Sequence, residues 1–356
     1  MNSTNLAQTR HGGIDTLRGL ACILLLVLHV VGEQVTSGLR VPDEHPLAMF
    51  TAIFLHLRMP LFAMLSGFVY AYRPPTREVS GRFLTGKLRR IGLPFVFVTT
   101  IYGVANTVLG AGYGVPWGEF WQIYVSAYAY LWFLQAVFIL FLVIGALDLL
   151  FPKARLQVAT GFLAVTSALF LSDIGRGIEW LSFDRTLYLA PFFALGVFLN
   201  RFEGNATRGL KTAFLSSLAL LGTIHLVGVL TDPTAVIERR NAMSLGLGLV
   251  ASGSLILFRN VLNFAPLAWI GRFSFGIYLY HMFPVMALLA VYKFIGFPDP
   301  WLGLAIGATA GLSLSIAAEI IARRLGPVLP WLPTLTLGLT VAGKEKRRHE
   351  TVPASV

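Results

Sequence analysis

Apolar runs of about twenty residues, separated by short polar segments, recur along the whole chain. A run of that length matches a helix that crosses a bilayer. The pattern predicts about ten spans, at residues 16–36, 48–72, 91–110, 130–150, 156–172, 186–200, 212–230, 242–258, 273–292 and 301–322, the sixth being short. The expected fold class is all-α, a polytopic membrane protein with about ten transmembrane helices. The stretch after Arg324, Pro-Val-Leu-Pro-Trp-Leu-Pro, is too broken by proline for another span. The chain thus divides into one membrane domain, 1–330, and a short basic tail, 331–356. No small-residue cleavage pattern follows the first apolar run, which reads as a retained span and not a signal peptide.

Composition sharpens this. The 356 residues are 56% hydrophobic and 13% charged, with a mean hydropathy of +0.71. The net charge of +11 suggests nucleic acid in isolation, but the placement of the cations gives another reason for it. With a cytoplasmic N-terminus, the inner segments collect Arg10, Arg18, Arg73, Arg77, Arg82, Lys87, Arg89, Arg90, Lys153, Arg155, Arg201, Arg208, Lys211, Arg259, Arg272, Arg323, Arg324 and the tail's Lys344, Lys346, Arg347 and Arg348. The outer segments hold Arg40, Arg176, Arg185, Arg239, Arg240 and Lys293. That asymmetry puts both termini in the cytoplasm. The expected partner is a lipid bilayer and not nucleic acid. The single cysteine, Cys22, excludes a disulfide within the chain, and no metal-ligand spacing is present.

Candidate chemistry lies on a few spans. The first opens Asp15-Thr-Leu-Arg18-Gly19 and runs apolar to His29. Arg18 and His29 are eleven residues apart, nearly the same helical face and about 16 Å along the axis. An ionisable side chain inside a span is a functional candidate by default; a polar residue capped by a neighbouring carbonyl is the plainer account of His29. In the second span, Arg58 precedes Pro60 and Ser66-Gly67. Arg58 faces either a wet cavity or carbonyls freed by the proline. Ser66-Gly67 permits close helix packing, and no Gly-x-Ser-x-Gly elbow marks the serine as a nucleophile.

The basic segment ending Lys87-Leu-Arg89-Arg90 fits either anionic lipid or a phosphorylated cytosolic ligand. The segment 111–129 is aromatic and external, placed to lie at the interface or cover a cavity. The fourth span opens with Trp132 and, slightly deeper, Gln135; the aromatics match an interfacial belt. In the ninth, Ser274, Tyr278 and His281 share a helical face, as a hydrogen-bonded cluster or as substrate contacts. His225 stands alone in the seventh span and reads as structural, and Glu319 is the clearest acid within a span.

These pieces together resemble the integral-membrane acyltransferase-3 family. The resemblance rests on Asp15, Arg18, Gly19 and His29; on Met-Pro-x-Phe-x-x-x-Ser-Gly-Phe at residues 59–68; on Lys87, Arg89, Arg90 and Pro94; on Trp132-Phe-Leu; and on Ser274 to His281. Its His-x-Arg-Met-Pro form is similar to members that acetylate sugars and to succinyl modifiers of glucans. The resemblance implies an acyl-CoA-dependent O-acyltransferase of a bacterial inner membrane, moving an acyl group, acetyl foremost, to a hydroxyl of a cell-envelope glycan or lipid-linked sugar. It implies no metal. The phosphates of CoA would rest on Arg18, Lys87, Arg89 and Arg90. His29 would be the general base, with a covalent acyl-histidine as the variant. Arg58 would assist catalysis, and Ser66, Trp132, Gln135, Ser274, Tyr278 and His281 would contact substrate. The competing function is a transporter or exporter that forms no bond, which calls for paired broken helices and midplane ionisable groups in both halves.

Overall fold

In the computed structural model, residues 3–32, 37–205, 207–296 and 299–340 are described, and within them the chain is helical with no strand longer than an isolated bridge. The tail cations from Lys344 onward lie outside the described residues. The helices are α1 Ser3–Val31, α2 Pro46–Ile53, α3 Leu55–Tyr70, α4 Ser80–Lys87, α5 Leu93–Val108, α6 Gln122–Val125, α7 Trp132–Leu150 and α8 Arg155–Leu171. They continue with α9 Phe183–Phe202, α10 Arg208–Thr231, α11 Ala242–Leu257, α12 Ala265–Gly271, α13 Ser274–Tyr280, α14 Met282–Ile295, α15 Pro300–Leu325 and α16 Trp331–Leu337.

Each predicted span contains a helix. Among the described residues, five helical stretches are long and apolar enough to cross a membrane: Gly12–Val31, Arg77–Val108, Trp132–Leu150, Arg208–Thr231 and Pro300–Leu325. Two more spans result if α2 with α3, and α13 with α14, each count as one helix bent by 41°. The apolar α8 and α11 are shorter. The second and ninth predicted spans are thus each broken. The second yields at Phe54, ahead of Pro60, which sits inside α3. The carbonyl of His56, deprived of its helical donor by Pro60, faces Gly248 of α11.

Local chemistry sets where helices start. Pro46 occupies the first turn of α2 while His45 Nδ1 accepts from the Leu47 amide at 3.2 Å. Asp299 caps α15, and Asn241 with Ser244 forms a reciprocal cap on α11.

The core forms where small residues let backbones meet. α3 and α9 pack along their lengths. A Cβ on Gly67 would collide with the Phe193 carbonyl, and one on Gly196 with the Met64 carbonyl. The Ser66-Gly67 pair therefore does permit close packing, as its residues predict. The same close approach joins α1 to α12, where Gly19 faces the Leu267 carbonyl and Gly271 the Asp15 carbonyl. α16, in the stretch expected as tail, packs on α5 and buries Pro333, Thr336 and Leu337.

Buried ion pairs tie the helix ends. Asp148 of α7 is fully buried and accepts from Tyr70 Oη at 2.6 Å and from Arg201. It is a second acid within a span, beside Glu319, whose carboxylate pairs with Arg323. His225 is not alone: its ring centroid lies 5.1 Å from that of His56, and each Nε2 meets a backbone carbonyl, of Ala52 and Val236 respectively.

Candidate active site

A cavity of about 460 Å³ opens where the C-terminal half of α1 meets the starts of α3, α7 and α9 and the α13–α14 bend. α1 supplies Leu25, Leu28 and His29; α3 supplies Leu55, Arg58 and Met59; the bend supplies Tyr278 and Met282. An adjoining cavity of about 380 Å³ shares Arg58, Arg185 and Arg239 with it.

His29 is half-buried on the cavity wall. Behind it, His281 is wholly buried at the bend between α13 and α14, its ring centroid 5.1 Å from that of His29. His281 Nδ1 lies 2.8 Å from the Ile277 carbonyl and 2.9 Å from the Tyr278 carbonyl. Two acceptors at one nitrogen make Nδ1 the protonated one. Nε2 is then an acceptor, buried without a hydrogen bond. The Tyr130 ring packs on both imidazoles. Tyr130 Oη donates to the Leu279 carbonyl at 2.6 Å, and Tyr278 Oη donates to the Tyr130 carbonyl. This reciprocal pair locks the segment before α7 to α13.

Part of the 111–129 segment covers the cavity, as its aromatics predict: Tyr113, Ala127 and Ala129 line it. Tyr128 Oη donates to the Tyr113 carbonyl at 2.7 Å. Burial pushes the Tyr128 phenol up to about 12, so it remains a donor at neutral pH.

Of the residues expected at the site, His29, Arg58, Trp132 and Tyr278 line the cavity, and His281 backs it. Arg58 is 3% exposed. Three expected substrate contacts lie elsewhere. Ser66 Oγ donates to the Phe62 carbonyl of its own helix at 2.8 Å, the back-bonding usual for a serine inside an apolar helix. Gln135 is consumed by the Tyr124 carbonyl and the Ser182 hydroxyl, joining α6, α7 and α9. Ser274 starts α13, where Cys22 Sγ approaches its carbonyl at 3.8 Å, and it is not on the cavity wall. Ser274 sits four residues before Tyr278, about 6 Å farther along α13.

The expected phosphate ligands lie at the other end of the bundle. Gly145 of α7 packs on Phe83, and Lys87 Nζ sits 3.1 Å above the centroid of the Phe141 ring. Thirteen residues separate Gly145 from Trp132, about 20 Å along α7. Arg18 is likewise about 16 Å from His29 along α1, in an ion pair with Asp15 at 3.0 Å. Arg89 is partly buried and Arg90 exposed, on a π-helical turn Leu88–Gly92 that packs on α16. None of the four lines the cavity.

Sequence inspection overlooked Arg185 and Arg239, which looked like ordinary outer-loop cations. Both line the cavity, and Arg185 Cζ lies 5.6 Å from the centroid of the Trp132 ring. Their sole sequence signal was a cation immediately before or after an apolar span. Among the described residues, no group of three or more His, Cys, Asp or Glu side chains gathers as a metal site requires.

A polytopic helical bundle with an imidazole pair beside a cavity defines a multi-pass membrane protein. The acyltransferase domain of the acyltransferase-3 family matches residues 11–320, and the chain belongs to that family. No curated protein and no solved structure matches the chain. The protein is therefore a membrane enzyme that transfers acyl groups.

Proposed function

We propose that this enzyme moves an acyl group, acetyl foremost, from cytosolic acyl-CoA to a hydroxyl of a cell-envelope glycan or lipid-linked sugar in a bacterial inner membrane. The observation that carries this reading is the half-buried His29 on the cavity wall, backed by His281, in a chain of this family.

In this reading both termini are cytoplasmic, so Arg18, Lys87, Arg89 and Arg90 face the cytosol and hold the donor's phosphates by charge-assisted hydrogen bonds. Lys87 leaves its aromatic seat to do so. The donor's arm runs along α1 toward His29, and the acceptor enters by the cavity at the opposite face. Leu17, Ala21 and Leu25 of α1 and Leu61 and Met64 of α3 are buried in one cluster between the two ends, so donor entry parts these helices.

The chemistry is a single acyl transfer. The acceptor oxygen attacks the thioester carbonyl carbon as His29 takes the hydroxyl proton. The C–O bond forms, the C–S bond breaks, and the departing thiolate receives the proton from His29. His281 holds the His29 ring in place. Arg58 stabilises the oxyanion on the carbonyl, while Trp132 and Tyr278 flank the acceptor.

One observation favours a carrier that forms no bond: both bent helix pairs border the cavity, an arrangement found around transporter sites. Transfer of labelled acetyl from acetyl-CoA to a pool of envelope glycans, with wild type and His29→Ala in membranes, separates the two. Label in glycan with wild type alone supports the enzyme and its base. Transfer that survives in His29→Ala removes His29 from the mechanism. CoA binding with no transfer favours the carrier.

A further inference from the structure

α16 lies beyond residue 320, where the acyltransferase domain ends, yet it is seated against α5, α15 and the π-helical turn that carries Arg89 and Arg90. Its C-terminus is closed by a left-handed cap. The Gly338 amide donates to the Thr334 carbonyl at 3.0 Å and the Leu339 amide to the Pro333 carbonyl at 3.0 Å, and Gly338 has the φ of +65° that such a cap requires. The Thr334 hydroxyl adds a bond to the Leu339 carbonyl at 2.8 Å.

Both ends of this short element meet groups assigned to the reaction. A Cβ on Gly338 would run into the backbone of the π turn, at Arg90 Cα and the Arg89 carbonyl. Backbone rests on backbone there, with no side chain between to absorb a change. The π turn itself is closed by the Leu93 amide on the Leu88 carbonyl, a wide turn of the kind that recurs at functional sites. Its contact with Gly338 fixes where its two arginines start. Toward the imidazole pair, the contact is polar. Thr336 lies in the last turn of α16, where a helix cannot satisfy its own carbonyls, and the Tyr280 hydroxyl donates to the Thr336 carbonyl at 2.8 Å. Tyr280 ends α13 and directly precedes His281. Tyr130 holds Tyr278 and Leu279 by hydrogen bonds; α16 holds the next residue.

We infer that α16 is a positioning element of the transferase: Gly338 seats Arg89 and Arg90 for the donor's phosphates, and the Thr336 carbonyl, through Tyr280, seats His281 behind His29. This rests on the acyl-transfer reading above and adds Gly338, Thr336 and Tyr280 to it as positioning residues.

The test uses the full chain in lipid nanodiscs, with affinity for CoA, the melting temperature, and steady-state transfer of labelled acetyl from acetyl-CoA to a pool of envelope glycans. Gly338→Ala pushes a Cβ into the π turn, and Thr334→Val loosens the cap without adding a clash. Each should weaken CoA by about tenfold or more, the size of one lost charge-assisted hydrogen bond, with kcat at saturating donor within about twofold of wild type. Tyr280→Phe should do the reverse, lowering kcat by about tenfold through misplacement of the imidazole pair while CoA affinity stays near wild type. Loss of stability alone would not split the two quantities in this way. If Gly338→Ala does not fold, Thr334→Val decides that arm. Wild-type CoA affinity in a folded Gly338→Ala or in Thr334→Val overturns the inference, and so does wild-type kcat in Tyr280→Phe. A parallel loss of affinity and kcat in all three, following a lower melting temperature, overturns it too and leaves α16 a stabilising element. Failure of the acyl-transfer reading looks different: wild type itself then neither binds CoA nor transfers label, and the inference falls with it.

Discussion

His281 stands behind His29 with its ring centroid 5.1 Å away, wholly buried, its Nδ1–H shared between the Ile277 and Tyr278 carbonyls. The His281 ring turns back along α13 to these carbonyls, and the Ile277 carbonyl also accepts the His281 amide at 3.0 Å. The two contacts at Nδ1 fix the tautomer of the imidazole.

If His29 is the base, His29→Ala should lower acyl transfer by about 10²–10⁴-fold, the usual range for a positioned acid–base group. His281→Phe, which retains the ring volume, should lower kcat by up to about 10²-fold through misplacement of His29 while the KM for the donor stays near wild type. Steady-state kinetics with labelled acetyl-CoA check both. Wild-type kcat in His281→Phe would show that the second imidazole is only packing.

Asp148 is the buried hub of an ion pair with Arg201 and a hydrogen bond from Tyr70. Asp148→Asn leaves a buried guanidinium without its counter-charge and should destabilise the protein by about 3–5 kcal/mol. The double change Asp148→Leu with Arg201→Met should cost less, because no charge is stranded. Thermal unfolding in detergent followed by tryptophan fluorescence compares the two, and the order of melting temperatures is the readout.

Gly67 and Gly196 meet the backbone of the opposing helix. Backbone cannot yield as a side chain does, so Gly67→Val or Gly196→Val should exceed the roughly 1–3 kcal/mol typical of overpacking and sharply reduce folded protein in membranes. Gly161, within α8, meets nothing within 4 Å, and Gly161→Val should be tolerated. Size-exclusion profiles after extraction test the contrast.

Cys22 is 1% exposed on the α1 segment between Arg18 and His29. A membrane-permeant maleimide should leave it unlabelled in the folded protein and label each chain once after denaturation. Faster labelling on addition of acyl-CoA is the expected sign that donor entry parts α1 from its neighbours; protection or an unchanged rate argues against that route. Mass spectrometry of the intact chain measures it.

The sequence by itself determined the helices, the membrane character and the family, because apolar run length and a handful of ordered motifs are local properties of the chain. It also marked His29, Arg58, Trp132, Tyr278 and His281, since an ionisable or polar group is conspicuous in an apolar run. Tertiary structure alone decided what surrounds His29. The bends at Phe54 and His281 and the α3–α9 crossing bring distant segments together, and no local pattern encodes such a meeting. Ser66 and Gln135 looked equally conspicuous, but Ser66 is spent on a carbonyl of its own helix and Gln135 on the Tyr124 carbonyl and the Ser182 hydroxyl. Arg185 and Arg239 looked like ordinary loop cations, yet they line the cavity, because a side chain's role depends on where its helix end arrives.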